Sequence, residues 1–136
     1  AYRARLSGPI MDRIALHVHV PRLESADVVG TTPTGEGSDA VRGRVMAARA
    51  FAAARGQDVP NGQLRAQQVR EACDLDDAAT QVLTRAVDRF GLSARAHDRL
   101  LRVARTIADL GGGERVGVGE LSGALPYRLP VQQASR

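Results

Sequence analysis

The sequence predicts an all-α fold: a small bundle of four to five helices, preceded by a strand-like segment and a flexible linker. Three observations predict it. Hydrophobic residues make up 43% of the 136 residues, mostly Ala, Leu and Val, with no Trp, two Phe and two Tyr, and small aliphatics suit helix packing better than a sandwich or barrel. From Ser38 onward the apolar residues recur at helical spacing. Between those runs stand the residues that start and stop helices, among them Gly56, Asp76, Gly91, Ser93 and the run Gly111-Gly112-Gly113.

Residues 1–22 read differently from the rest. Ser7-Gly8-Pro9 punctuates, then Ile14-Ala15-Leu16-His17-Val18-His19-Val20 alternates in the strand manner up to Pro21. A lone strand has no partners, so this segment is expected to be loosely extended. Residues 23–37 include Gly30-Thr31-Thr32-Pro33-Thr34-Gly35-Glu36-Gly37, lack apolar periodicity and read as a linker.

The bundle is expected over residues 38–128. Ser38 is the expected cap of a helix from Asp39 to about Arg55, with Val41, Val45, Ala48 and Ala52 on one stripe. Asn61 opens a second helix, to about Ala72, carrying Leu64 and Val69. Asp76 or Asp77 begins a third, with Ala79, Val82, Leu83, Ala86, Val87 and Phe90 at helical spacing. The fourth follows the Ser93 cap and ends at the glycine run, and a short fifth from about Gly119 to Leu125 is stopped by Pro126. Residues 129–136 read as a frayed tail.

The fourth helix is the informative one. At about 100° per residue, Ala96, Leu100, Leu101, Val103, Ala104, Ile107, Ala108 and Leu110 fall on one arc with His97. Arg95, Arg99, Arg102 and Arg105 fall on the other, with Asp98, Thr106 and Asp109. Arginine in a first turn works against the helix dipole, which favours anions there, so an anionic partner is expected. The chain has no lysine, so all 19 basic residues are arginine, and part of the stripe reflects that bias. Within the stripe, Arg95 has an ion-pair partner available in Asp98, as Arg13 has in Asp12 or Glu24.

Several chemistries are excluded or disfavoured. No Gly-x-x-x-x-Gly-Lys-Ser/Thr occurs, and without lysine no Walker-type phosphate lysine exists, so the chain cannot turn over a nucleotide unaided. His17 and His19 share a face, but His97, Cys73 and the scattered Asp residues show no ligand spacing, so no metal site is expected. Cys73 sits among Val69, Ala72 and Leu75 and reads as a buried thiol; a lone cysteine allows no internal disulfide and suits a cytoplasmic setting. No apolar stretch approaches a membrane span, and no signal peptide is recognisable. The net charge of +4 favours anionic partners without singling out nucleic acid. The chain begins inside a motif without an initiator methionine, which is expected of a piece of a longer protein.

Ser93-Ala94-Arg95 followed by Arg99-Leu100-Leu101-Arg102-Val103-Ala104-Arg105-Thr106-Ile107-Ala108-Asp109-Leu110 resembles the C-terminal lid of magnesium-chelatase-like AAA+ ATPases, the ComM/YifB family. Tyr2-Arg3-Ala4-Arg5-Leu6-Ser7-Gly8-Pro9-Ile10-Met11-Asp12-Arg13-Ile14 is similar to a signature at the end of that family's ATPase core, and Leu121-Ser122-Gly123-Ala124-Leu125-Pro126-Tyr127-Arg128 to its last motif. The resemblance implies a ring-forming parent, a hexamer, that hydrolyses ATP with magnesium and acts on DNA. It implies that residues 1–22 are a remnant of the core. It implies that Arg13 is an arginine finger reaching the neighbouring subunit's nucleotide, and Arg95 the sensor 2 arginine of its own subunit's lid. Arg99, Arg102 and Arg105 are candidates for anion or subunit contacts. Two positions depart from the family: Ala15 stands where an acidic residue is usual, and Pro126 where glutamine is. A rival reading is a free-standing basic helical domain that binds nucleic acid through Arg95, Arg99, Arg102 and Arg105.

Overall fold

The structure, a computed structural model, describes residues 8–30 and 35–128. Its α-helices are α1 (Gly8–Met11), α2 (Ser25–Val29), α3 (Ser38–Ala54), α4 (Ala66–Cys73), α5 (Asp77–Phe90), α6 (Ala94–Leu110) and α7 (Val118–Ala124). Two 3-10 turns, Asn61–Gln63 and Leu125–Tyr127, complete the elements, and no strand forms among the described residues.

Helix α6 is the axis of the molecule, packing against α7, α4, α3 and the Asn61–Gln63 turn, while α5 packs on α7. Leu100, Leu101, Val103, Ala104 and Ala108 of α6 meet Val69 and Cys73 of α4, Ala79 and Leu83 of α5, and Leu121 and Ala124 of α7. Val116 closes the core, its N–H donating to the Cys73 carbonyl at 2.8 Å.

The helix ends follow capping chemistry. Asp76 accepts from the Ala79 N–H at 2.7 Å at the start of α5, and Gly91 ends it at φ 61°, where only a residue without a Cβ is unstrained. Ser93 accepts from the Ala96 N–H at 3.1 Å at the start of α6. Glu120 Oε2 reaches back to the Gly117 N–H at 2.9 Å, which starts α7.

Four expectations are corrected here. Gly37, in extended conformation, is the cap of α3, and Ser38 is its first residue with no capping bond. The helix expected from Asn61 is split: Leu64 at φ −60° and ψ 138° breaks the 3-10 turn from α4, because its carbonyl is turned outward to a partner on α6. Ile14–Val20 is not a strand. Without a neighbouring strand its backbone groups go elsewhere: the Ile14 carbonyl accepts from Arg128 and the His17 N–H donates to the Tyr127 carbonyl at 2.8 Å. Ile14, Leu16, Val18 and Val20 are left exposed. Within the stretch read as linker, Ser25–Val29 is helical. The expected tail, residues 129–136, and the part of the first motif before Gly8 lie outside the described residues.

Candidate functional site

The arginines of α6 do not share one fate. Arg105 is fully buried and each nitrogen of its fork has a partner. Its Nε donates to Asp109 Oδ1 at 3.1 Å, its Nη1 to the carbonyls of Ala72 (2.9 Å) and Glu114 (2.8 Å), and its Nη2 to the Gly113 carbonyl. It therefore ties the end of α4 and the glycine loop to α6 and, being fully buried, offers no exposed donor to a ligand, which removes it from the candidate anion contacts. Arg102 is half-buried, and its Nε and Nη2 both donate to the Leu64 carbonyl, at 3.1 and 2.8 Å. It too serves the fold first.

Asp109 is the hub at the far end of α6. It is 4% exposed and accepts from Arg55 at 2.8 and 3.2 Å, from Asn61 at 2.8 Å and from Arg105. Burial pushes its carboxyl up, but the bonds from Arg55 and Asn61 and the charges of Arg105 and Arg55 outweigh that and hold it below its ordinary value. This cluster fastens α3 and the following loop to the axis. Cys73 lies nearby, fully buried, its Sγ 3.6 Å from the Leu101 carbonyl, and burial pushes its thiol up to about 12. It is not a nucleophile.

At the other end of α6 the arginines are open. Arg95, in the first turn, is exposed and forms no ion pair or side-chain hydrogen bond with any described residue. The partner available in sequence, Asp98, is engaged by His97 (3.0 Å) and Arg70 (3.4 Å) instead. Arg99 is half-buried and likewise has no partner among the described residues. Arg13 is exposed, and neither Asp12 nor Glu24 pairs with it.

The structure brings Arg13 and Arg95 to one end of the bundle. Ser93 Oγ, which caps α6, donates to Asp12 Oδ2 at 2.7 Å. Arg128, 6% exposed, donates to the Ile14 carbonyl and lies 3.8 Å from Asp12 Oδ1. Arg13 thus sits one residue from a contact whose other side is two residues from Arg95. Sequence reasoning did not find Ser93, Asp12 and Arg128 as a group. The signal available was that each lies in one of the three quoted motifs, from opposite regions of the chain.

Two surface hollows of about 640 and 470 Å³ flank the loop after α3, and neither is lined by Arg13, Arg95 or Arg99. Among the described residues no three His, Cys, Asp or Glu side chains group together as metal ligands. No helix described is long and apolar enough to cross a membrane.

Residues 35–128 match the family model described as magnesium chelatase, subunit ChlI C-terminal. Competence protein ComM of Haemophilus influenzae is 37% identical over 131 residues, covering 96% of this chain and 26% of that protein. The uncharacterized protein YifB of Escherichia coli is 38% identical over 127 residues, covering 93% and 25%. An uncharacterized protein of Mycobacterium bovis is 37% identical over 130 residues, with the same coverage of 93% and 25%. The chain spans about a quarter of the length of these relatives.

Proposed function

The chain belongs to the magnesium chelatase ChlI C-terminal family, and on that premise we propose that it is the lid, with the adjoining end of the ATPase core, of a ring-forming cytoplasmic AAA+ ATPase that couples ATP binding and hydrolysis to remodelling of DNA. The chain itself has no turnover. Its work is to place arginines against phosphate.

The observation that carries this reading is the split within the α6 stripe. Arg102 and Arg105 are committed to backbone carbonyls, while Arg95 projects from the first turn with no partner among the described residues. Unpaired guanidinium at the electropositive end of a helix is unfavourable without an anion. A planar fork of donors suits phosphate oxygens, and charge on the transferred phosphoryl group must be neutralised as its bond breaks. Arg95 acts on the nucleotide of its own subunit. Arg13, exposed on the core segment, acts on the nucleotide of the next. ATP and magnesium are held mainly by an upstream core. The same split weakens the rival nucleic-acid face, whose four arginines reduce to Arg95 and Arg99.

The test is ATPase assay of the longer protein. Arg95→Ala and Arg13→Ala each lower kcat by roughly 10³-fold or more, the range inserted arginines supply in related phosphoryl transfers. Arg95→Lys recovers part of the rate because an ammonium lacks the bidentate fork. Full turnover by Arg95→Ala, with unchanged nucleotide affinity, refutes the assignment.

A further inference from the structure

The segment that carries Arg13 is held by groups for which phosphate chemistry has no use. Inside it, the Met11 carbonyl accepts from the Ile14 N–H and from His17 Nε2, both at 3.2 Å, closing a small loop with Arg13 on its outside. The loop is then fastened to the bundle at three places. Ser93 Oγ donates to Asp12 at 2.7 Å, Arg128 donates to the Ile14 carbonyl, and the His17 N–H donates to the Tyr127 carbonyl at 2.8 Å. The Arg128 side chain is 2% exposed and its Nε has no partner among the described residues. Burying a guanidinium this incompletely satisfied is costly, and the bond it does make goes to the segment that carries Arg13. What it orders is the backbone on either side of Arg13.

The other anchor of the clamp is not a passive surface. Ser93 Oγ accepts from the Ala96 N–H at 3.1 Å while donating to Asp12, so one hydroxyl both starts α6 and holds the core segment. Arg95 leaves the same helical turn. Any tilt of α6 that follows Arg95 onto a phosphate therefore moves Ser93, and with it Asp12 and Arg13.

We infer that Ser93, Asp12 and Arg128 form a strut that makes the positions of Arg95 and Arg13 interdependent, so that nucleotide bound in one subunit sets the arginine presented to the next. All three are positioning residues, and the inference rests on the proposed function of the two arginines. The strut supplies cooperativity around the ring without touching nucleotide.

The experiment uses the longer ring-forming protein with Asp12→Ala, Asp12→Asn and Arg128→Gln. Amide exchange at His17 and steady-state ATPase are measured on each, with thermal melting as the control for folding. Asp12→Ala and Arg128→Gln are expected to speed His17 exchange about tenfold by local opening. They should lower kcat roughly tenfold by misplacing Arg13, leave nucleotide affinity within about twofold, and bring the Hill coefficient of ATP hydrolysis towards 1. Asp12→Asn, which still accepts from Ser93, should restore most of the Hill coefficient. Accelerated His17 exchange with kcat and Hill coefficient both unchanged overturns the strut, as does a His17 amide already unprotected in the unaltered protein. Undiminished turnover by Arg13→Ala sinks instead the reading beneath it, while the exchange data still report whether the clamp exists.

Discussion

Replacing Arg105 by alanine separates the structural arginine of α6 from the open ones. Arg105 is fully buried and donates to Asp109 and to the carbonyls of Ala72, Gly113 and Glu114. Truncation leaves Asp109 with less counter-charge and deprives all three carbonyls of their donor. Removing one partner of a buried ion pair costs about 3–5 kcal/mol. The carbonyls add less than their full desolvation penalty, because Glu114 is exposed and Gly113 half-buried, so water reaches them once the side chain is gone. A total of about 4 kcal/mol is a large share of the roughly 5–15 kcal/mol that holds a small domain folded. For a domain of this size it corresponds to a fall in Tm of roughly 15–30 °C. Arg95→Ala, at an exposed position with no partner among the described residues, should stay within about 0.5 kcal/mol of the unaltered chain. The assay is thermal and urea unfolding followed by far-ultraviolet circular dichroism, with Arg105→Lys expected between the two. Equal melting of Arg105→Ala and Arg95→Ala would refute the division of the stripe.

Two further outcomes follow from the same interior. Asp109 has a folded-state value below its ordinary 3.8, so its contribution is present above about pH 4 and is lost as pH falls through the folded value. Asp109→Asn is therefore much less stable than the unaltered chain at pH 7, and the gap narrows as the pH falls below 3.8, by urea titration across that range; a gap that does not change with pH contradicts this. Cys73, with its thiol near 12, should be unreactive towards a disulfide reagent at pH 8, where its thiolate fraction is on the order of 10⁻⁴. Labelling should track urea unfolding, and labelling within seconds of the native chain would show the thiol to be accessible.

The sequence displayed α5 and α6 nearly to the residue because their ends are local chemistry. Asp76 and Ser93 cap through their own side chains, and Gly91 supplies a positive φ. The start of α3 was less legible, since Gly37 caps it with no side chain at all. Arg105 was misplaced for a different reason. A helical wheel sorts residues by angle and by charge, but burial of a guanidinium depends on carbonyls that converge from Ala72, Gly113 and Glu114. Its i, i+4 spacing to Asp109 was visible, and an arginine followed by acid and then by a glycine run with free carbonyls is the pattern that could have exposed it. The Ile14–Val20 alternation read as a strand and is not one, because alternation specifies faces and not the presence of a neighbour. The Asp12–Ser93 contact joins residues 81 apart, a closure that no local pattern encodes.

In the proposed function Arg95 acts within its own subunit and Arg13 on the next. Mixed rings of the longer protein test it directly. Subunits carrying Arg13→Ala are combined with subunits lacking the upstream phosphate-binding lysine, and the same is done with Arg95→Ala. In the first mixture an intact finger from the lysine-deficient subunit meets a complete nucleotide site, so ATPase activity above that of either parent is expected. In the second, no site holds both its lysine and Arg95, so no recovery is expected. Recovery in the Arg95 mixture without recovery in the Arg13 mixture would contradict the account.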